Sequence, residues 1–196
     1  MYERTVLPNG LRVLTVNMPH TRSVTVSIFI GAGARCETLG EAGISHYLEH
    51  MSFKGTGLRP TPKEISETIE SVGGMMNAST DHEMTVFWCK VPQAHFALAL
   101  GLLVDMLRNS TFDTREIEKE RKVILEEIRS INDSPQQRVD LLIDEVLWPD
   151  QALGRDVGGT EESVNAISRE ALLGYVARQY VPNNTVLSVA GNIGHQ

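Results

Sequence analysis

The sequence has 196 residues, of which 41% are apolar and 22% charged, enough to bury the core of one compact domain. Eighteen lysines and arginines against 25 acidic residues give a net charge of −7, and the absence of a basic run argues against a nucleic-acid partner. Apolar stretches are shorter than a bilayer requires, so we also expect no membrane partner.

The two cysteines, Cys36 and Cys89, are far apart in the sequence and form no CxxC pair. Their spacing indicates neither a disulfide framework nor a thiolate metal site, and it favours a reducing compartment. No charged segment followed by an apolar segment of the signal-peptide type opens the sequence. We therefore expect a cytoplasmic protein.

The first third of the sequence predicts strands and then helices. Residues 5–7 and 11–16 flank a Pro-Asn-Gly turn, and the Asn-Gly pair favours a hairpin. Apolar residues alternate through 24–30, as in a strand of a half-buried sheet. A helix is predicted over 42–51. A second helix begins at Thr61 and Pro62, which suit the N-cap and first helical positions, and ends at Gly73–Gly74.

Later segments group strands with strands and helices with helices. Two strands joined by a polar turn at 80–83 are predicted between residues 75 and 91. The remaining predicted elements are helices over 93–108, 113–131 and 135–147, a loop over 148–159, two helices of which the clearer covers 168–180, and a strand over 184–190. Because strands and helices do not alternate strictly, the order favours an α+β fold.

His46 and His50 provide the strongest functional signal. At 100° per residue they lie roughly 40° apart on one helix face, where two imidazoles can ligate one tetrahedral cation. Glu49 borders that face, so its carboxylate can reach a water on the metal rather than the metal itself. Since an i, i+4 histidine pair on a surface helix is usually inert, the assignment depends on a third ligand.

The helix predicted over 113–131 offers a candidate. Its apolar stripe includes Glu120 and Glu127, and a carboxylate on a buried stripe costs several kcal/mol unless a cation or donor compensates it. Glu126 points instead to the solvated face. We therefore select Glu127 as the ligand and Glu120 as a charge partner for a ligand histidine. The alternative, that both glutamates pair with a buried arginine or lysine, stays open.

These residues resemble the inverzincin zinc metallopeptidases, peptidase family M16, which includes pitrilysin and the mitochondrial processing peptidase β subunit. His46-x-x-Glu49-His50 is followed, after 76 intervening residues, by Glu127. The resemblance covers nearly the whole sequence through LGEAG at 39–43, HMSFKGT at 50–56, GGMMNA at 73–78, ERKVILEE at 120–127 and LGR at 153–155.

The resemblance implies a domain of the LuxS/processing-peptidase type, a mainly antiparallel sheet packed against helices. It implies one Zn²⁺ per chain, held by His46, His50 and Glu127. Glu49 would be the general base for attack of zinc-bound water on a peptide bond, and Glu120 a supporting acidic residue.

The resemblance also implies that Asn77 and Ala78 lie on an edge strand that holds the substrate backbone. Family members carry a second, similarly folded half or a partner subunit that closes over the site. We therefore expect residues 1–196 to be the N-terminal catalytic domain of a zinc endopeptidase acting on peptides or unfolded polypeptides, with little or no activity alone. A homo-oligomer is compatible with this expectation.

The alternative is a non-catalytic partner subunit or interaction module of the same fold. Such relatives lose the zinc-binding residues, whereas this sequence retains three candidate ligands and the base. A purely structural zinc site normally needs a fourth protein ligand, often cysteine, and no Cys or His has a suitable spacing here.

Overall fold

The computed structural model describes residues 1–195, which contain six strands in one sheet and seven α-helices. The strands are β1 (Glu3–Val6), β2 (Arg12–Asn17), β3 (Ser23–Ile30), β4 (Met75–Thr80), β5 (Thr85–Pro92) and β6 (Thr185–Gly191). The helices are α1 (Ile44–Ser52), α2 (Pro62–Glu70), α3 (Phe96–Asn109), α4 (Thr114–Asp133), α5 (Pro135–Leu147), α6 (Glu161–Ala166) and α7 (Arg169–Gln179).

The sheet order is β1-β2-β6-β3-β5-β4. Neighbouring strands are antiparallel except for β2 and β6, which are parallel. The predicted α+β fold, a mainly antiparallel sheet packed against helices, is therefore confirmed. β4 lies at one edge of this sheet, next to β5.

Alternation along β3 separates the two faces of the sheet. Val24, Val26, Ile28 and Ile30 are buried, and the residues between them are partly exposed. The buried face packs against apolar side chains of α1, α2 and α3, which form the core. The predicted alternation therefore locates the core on one side of the sheet.

Glycines account for two of the helix boundaries that differ from the prediction. α1 begins at Ile44 rather than at residue 42, because Gly43 has a φ of +88° and cannot be part of an α-helix. α2 ends at Glu70 rather than at the glycine pair, because Gly73 has a φ of +71° and the Gly74 N–H donates back to the Ile69 carbonyl at 3.0 Å.

Two expectations from composition can be compared with the fold. None of the helices within residues 1–195 is both long enough and apolar enough to cross a membrane. Cys36 is exposed and Cys89 is buried, and both are free thiols.

A buried carboxylate holds the N-terminus of α1. Glu37 accepts hydrogen bonds from the Gly43 N–H at Oε2 and from the Ser45 N–H at Oε1, both at 2.8 Å. These are amides that a helix leaves without internal partners. A Cβ on Gly43 would lie 2.5 Å from the Gly158 carbonyl oxygen, so this end of α1 also lies directly against the loop that precedes α6.

We predict that Gly43→Ala lowers the free energy of unfolding by about 2–4 kcal/mol, because alanine is strained at positive φ and its methyl group overlaps the Gly158 oxygen. Urea unfolding followed by circular dichroism measures the loss. Gly40→Ala is the matched control, since a Cβ there meets nothing within 4 Å. Equal losses in the two variants would contradict the prediction.

Candidate metal centre

α1 has one face in the core and one face towards α4. Ile44, Tyr47, Leu48 and Met51 are buried, as the sequence predicts, and the Tyr47 hydroxyl donates to the carbonyl of Ile117 on α4. The other side of α1 carries the two predicted histidines, each partly exposed. The core packing of α1 therefore turns its histidine face towards α4.

Three side-chain atoms converge between α1 and α4. The Nε2 atoms of His46 and His50 are 3.2 Å apart. Oε2 of Glu127 lies 3.6 Å from Nε2 of His50 and 3.8 Å from Nε2 of His46. Within residues 1–195, these three residues are the group that could hold a metal ion.

The separations fit a tetrahedral metal ion. Nitrogen and oxygen ligands at their usual distances from zinc lie about 3.3–3.5 Å from one another, and the observed values of 3.2–3.8 Å bracket this range. Burial, together with the nearby His50, lowers the pKa of His46 to about 4, so His46 is neutral at pH 7, as a ligand must be. Two imidazoles and one carboxylate are also a donor set typical of catalytic zinc sites.

Glu120 contacts a histidine and a lysine at once. It is buried; its Oε2 lies 3.1 Å from Nδ1 of His50, and its Oε1 accepts from Nζ of Lys54 at 2.8 Å. A proton on His50 Nδ1 directed at this carboxylate leaves the Nε2 lone pair facing His46 and Glu127. Glu120 thus has the predicted contact with His50. It also pairs with a lysine, as the alternative interpretation of this glutamate predicts.

Glu127 is more exposed than its position on the stripe predicts, with 44% of its side chain accessible. The buried residues of α4 are Ile117, Glu120, Ile124 and Ile128. At 100° per residue Glu127 lies roughly 60° from Ile124, at the edge of this arc rather than at its centre. The free-energy cost of a buried carboxylate therefore applies to Glu120. Glu127 is less buried than the helical pattern predicts.

Glu49 is not one of these three residues, but its carboxylate is near enough to interact with the charges of His50 and Glu127. Its Oε2 accepts a hydrogen bond of 2.6 Å from the hydroxyl of Thr80, at the end of β4. Burial raises the pKa of Glu49 above its usual value, the Glu127 charge adds to the rise, and the Thr80 and His50 contacts only partly offset it. A raised pKa makes this carboxylate a better proton acceptor.

Asn77 and Ala78 lie on β4, an edge strand of the sheet. Asn77 is exposed and its Oδ1 accepts a 2.9 Å hydrogen bond from the Ala78 N–H. A peptide adding to this edge through that amide would have to displace the Asn77 side chain. The substrate-binding role of both residues stays a prediction.

Sequence reasoning missed three residues that support the site: Lys54, Thr80 and Glu37. Lys54 follows His50 by four residues but lies two positions beyond the end of α1, so helical spacing does not predict its contact with Glu120. The fold brings Thr80 to Glu49 and brings Glu37 to the start of α1. No local sequence pattern signals either contact.

The sequence matches the family model described as Insulinase (Peptidase family M16) over residues 12–161. The chain belongs to peptidase family M16. It is 40% identical over 190 residues to an uncharacterized zinc protease of Rickettsia bellii, covering 97% of this chain and 46% of that protein. It is 37% identical over 191 residues to the mitochondrial-processing peptidase subunit beta of Blastocladiella emersonii, covering 97% of this chain and 41% of that protein.

The M16 fold is also seen in the solved structure of a protease from Helicobacter pylori. The TM-score is 0.95 at 25% sequence identity, over 100% of this chain and 47% of that one. The chain thus spans about half the length of the curated relatives it matches.

We predict that Glu120→Gln weakens the binding of a divalent transition-metal ion about 10–100-fold, because a neutral amide no longer orients His50 through its Nδ1 proton. Competition titration against a chelating dye measures the dissociation constant. Glu126→Gln is the control on the same helix, since that side chain is 72% exposed and pairs with Arg129. Unchanged affinity in both variants would contradict the assigned role of Glu120.

Proposed function

We propose that this chain is the catalytic domain of a zinc endopeptidase that hydrolyses peptide bonds in peptides or unfolded polypeptides. The observation that carries the proposal is the convergence of His46, His50 and Glu127, with Glu49 beside them and not among them. The relatives named as zinc proteases support the same conclusion.

His46, His50 and Glu127 would hold one zinc ion. When bound, zinc would act as a Lewis acid that lowers the pKa of water towards about 7 and polarises the scissile carbonyl. Glu120 keeps His50 in the tautomer whose Nε2 lone pair faces the site, and Lys54 balances the buried charge of Glu120.

Glu49 would move the proton. The Thr80 hydroxyl holds its Oε2, which orients the carboxylate and leaves Oε1 to accept a proton from the attacking water. The same oxygen then returns the proton to the leaving amine. The raised pKa of Glu49 favours the first transfer, because the group is a stronger base than an ordinary carboxylate.

The edge of β4 would bind the substrate backbone. A peptide added along an open sheet edge forms main-chain hydrogen bonds that depend little on its sequence. Because Thr80 belongs to β4 and contacts Glu49, a peptide lying along Asn77 and Ala78 passes close to the general base.

A second half or a partner subunit would complete the enzyme. The chain spans about half the length of its curated relatives. We expect the isolated chain to be weakly active or inactive, because no second half or partner subunit then closes over the site. The alternative function is a non-catalytic partner subunit or interaction module; the presence of all three metal donors and of Glu49 favours the enzyme. A cytoplasmic location stays a prediction from the cysteine content.

We predict that Glu127→Gln lowers zinc affinity about 100-fold or more, because a neutral amide is a poor zinc ligand and the site has only two other donors. Metal content after gel filtration, measured by plasma mass spectrometry, and zinc titration report the change. Glu126→Gln, altered on the exposed side of the same helix, should retain wild-type zinc. Equal zinc in the two variants would remove Glu127 from the ligand set.

We predict that Glu49→Gln retains zinc and loses about 10²–10⁴-fold in peptide hydrolysis, because the amide cannot accept the proton. Mass spectrometry of an unstructured peptide, incubated for hours with concentrated protein, detects weak cleavage, which should stop with EDTA and resume with added zinc. Glu83→Gln, in the exposed turn after β4, is the control.

The outcomes separate the two functions. If Glu49→Gln lost both zinc and hydrolysis, Glu49 would be a metal ligand or a structural residue rather than the general base. A zinc-loaded wild-type chain that leaves the peptide intact, both alone and together with its second half or partner subunit, would favour the non-catalytic alternative.

A further inference from the structure

The two candidate ligand histidines are supported differently. Nδ1 of His50 lies 3.1 Å from Oε2 of Glu120, whereas Nδ1 of His46 is buried and has no hydrogen-bond partner within residues 1–195. A histidine that binds a metal through Nε2 carries its proton on Nδ1, and that proton is almost always donated to an acceptor. His46 therefore needs an acceptor that lies beyond its direct contacts.

The loop that precedes α6 leaves space beside this nitrogen. Gly158 is buried, and a Cβ on it would lie 3.8 Å from Nδ1 of His46, 3.5 Å from Oδ1 of Asp156 and 3.7 Å from Cγ1 of Ile128. The nitrogen and the carboxylate oxygen thus face the same small space. Because Gly158 is buried, this space lies inside the fold and not on its outer surface.

We propose that Asp156 is a positioning residue for His46 and acts through one water molecule in the space beside Gly158. The water accepts a hydrogen bond from Nδ1 of His46 and donates one to Oδ1 of Asp156. Buried waters typically join polar groups that would otherwise be unpaired. The inference rests on the proposed function, because it requires His46 to bind the metal through Nε2.

Asp156 can accept this additional hydrogen bond. Its Oδ1 accepts from the Gly158 N–H at 2.9 Å, and a carboxylate oxygen has a second lone pair. Burial raises the pKa of Asp156 above its usual value, and the Gly158 N–H, with the nearby His82 and Arg138, offsets the rise only in part. A further donor would therefore stabilise the charged carboxylate.

Packing does not require a glycine at position 158. The next residue, Gly159, has a φ of +77°, and a Cβ on it would lie 2.4 Å from the Ala42 carbonyl oxygen. Gly158 has no positive φ, and the atom nearest to its Cβ position is 3.5 Å away. An alanine therefore fits at Gly158, and its methyl group would take up space that the proposal gives to the water.

The zinc affinity of two Gly158 variants tests the proposal. Gly158→Ala should weaken zinc binding about tenfold, because His46 loses the partner that orients it. Gly158→Ser is larger, but its hydroxyl can come within about 3 Å of Nδ1 and replace the water, so its affinity should stay within about threefold of wild type. Gly101→Ala, on α3 with nothing within 4 Å of its Cβ position, is the control.

A double variant tests whether Asp156 and Gly158 act through the same water. Asp156→Ala should weaken zinc binding about tenfold, whereas Asp140→Ala, at an exposed position of α5, should not. Asp156→Ala combined with Gly158→Ala should bind zinc no more weakly than either single variant, because both changes remove one water bridge. Independent structural effects would instead multiply to about a hundredfold.

NMR of the zinc-loaded chain, with isotope-labelled histidine, detects the water itself. Hδ1 of His46 should show a cross-peak to a bound water in wild type, and Gly158→Ala should abolish it. Hδ1 of His50, which faces Glu120, is the internal reference. Melting followed by circular dichroism in EDTA checks that every variant is folded, and the wild-type cross-peak tests the proposal even if a variant is not.

The outcomes separate this proposal from the proposed function. A wild-type chain that binds no zinc would overturn both. If wild type binds zinc, any of four results would overturn this proposal alone: unchanged affinity in Gly158→Ala, equal losses in Gly158→Ala and Gly158→Ser, multiplied losses in the double variant, or no water cross-peak at His46 in wild type.

Discussion

The packing register between α1 and α4 is the constraint on which the site depends. His46 and His50 come from one helix and Glu127 from the other, and they meet only because core contacts such as the Tyr47–Ile117 hydrogen bond hold the helices in one alignment. A slip of one helical turn, about 5.4 Å, would exceed every separation between the three donor atoms. The arrangement of the three donor atoms therefore depends on the buried contacts between α1 and α4.

The N-terminal end of α1 is fixed by a different part of the chain. Arg155 donates to the backbone carbonyls of Ala34 and Glu37, and the Glu37 carboxylate in turn binds the first amides of α1. The loop that carries Arg155 also packs the Gly158 carbonyl directly against Gly43. Contacts with α4 and contacts with this loop therefore fix the position of α1 together.

Helical periodicity explains which parts of the site could be predicted. It reports the face on which a residue lies, so it paired His46 with His50 and preferred Glu127 over Glu126. It does not report what covers that face. Burial of Glu127 was overestimated for this reason, and α5 was predicted as a helix with no sign that its apolar side lies outward. The Thr80–Glu49 contact joins residues 31 positions apart through a strand and a helix, and no local pattern encodes it.

Three glutamates at the site differ in role because their partners differ. Glu120 is buried, is paired with Lys54 and contacts Nδ1 of His50, which suits it to orient an imidazole. Glu49 is held by a neutral hydroxyl and has a raised pKa, which suits it to exchange a proton. Glu127 lies within 4 Å of the two imidazoles and, in residues 1–195, of no lysine or arginine. Its negative charge is the one that a divalent cation between these side chains would balance. Under the proposed function, the same residue type would therefore supply an orienting group, a base and a ligand.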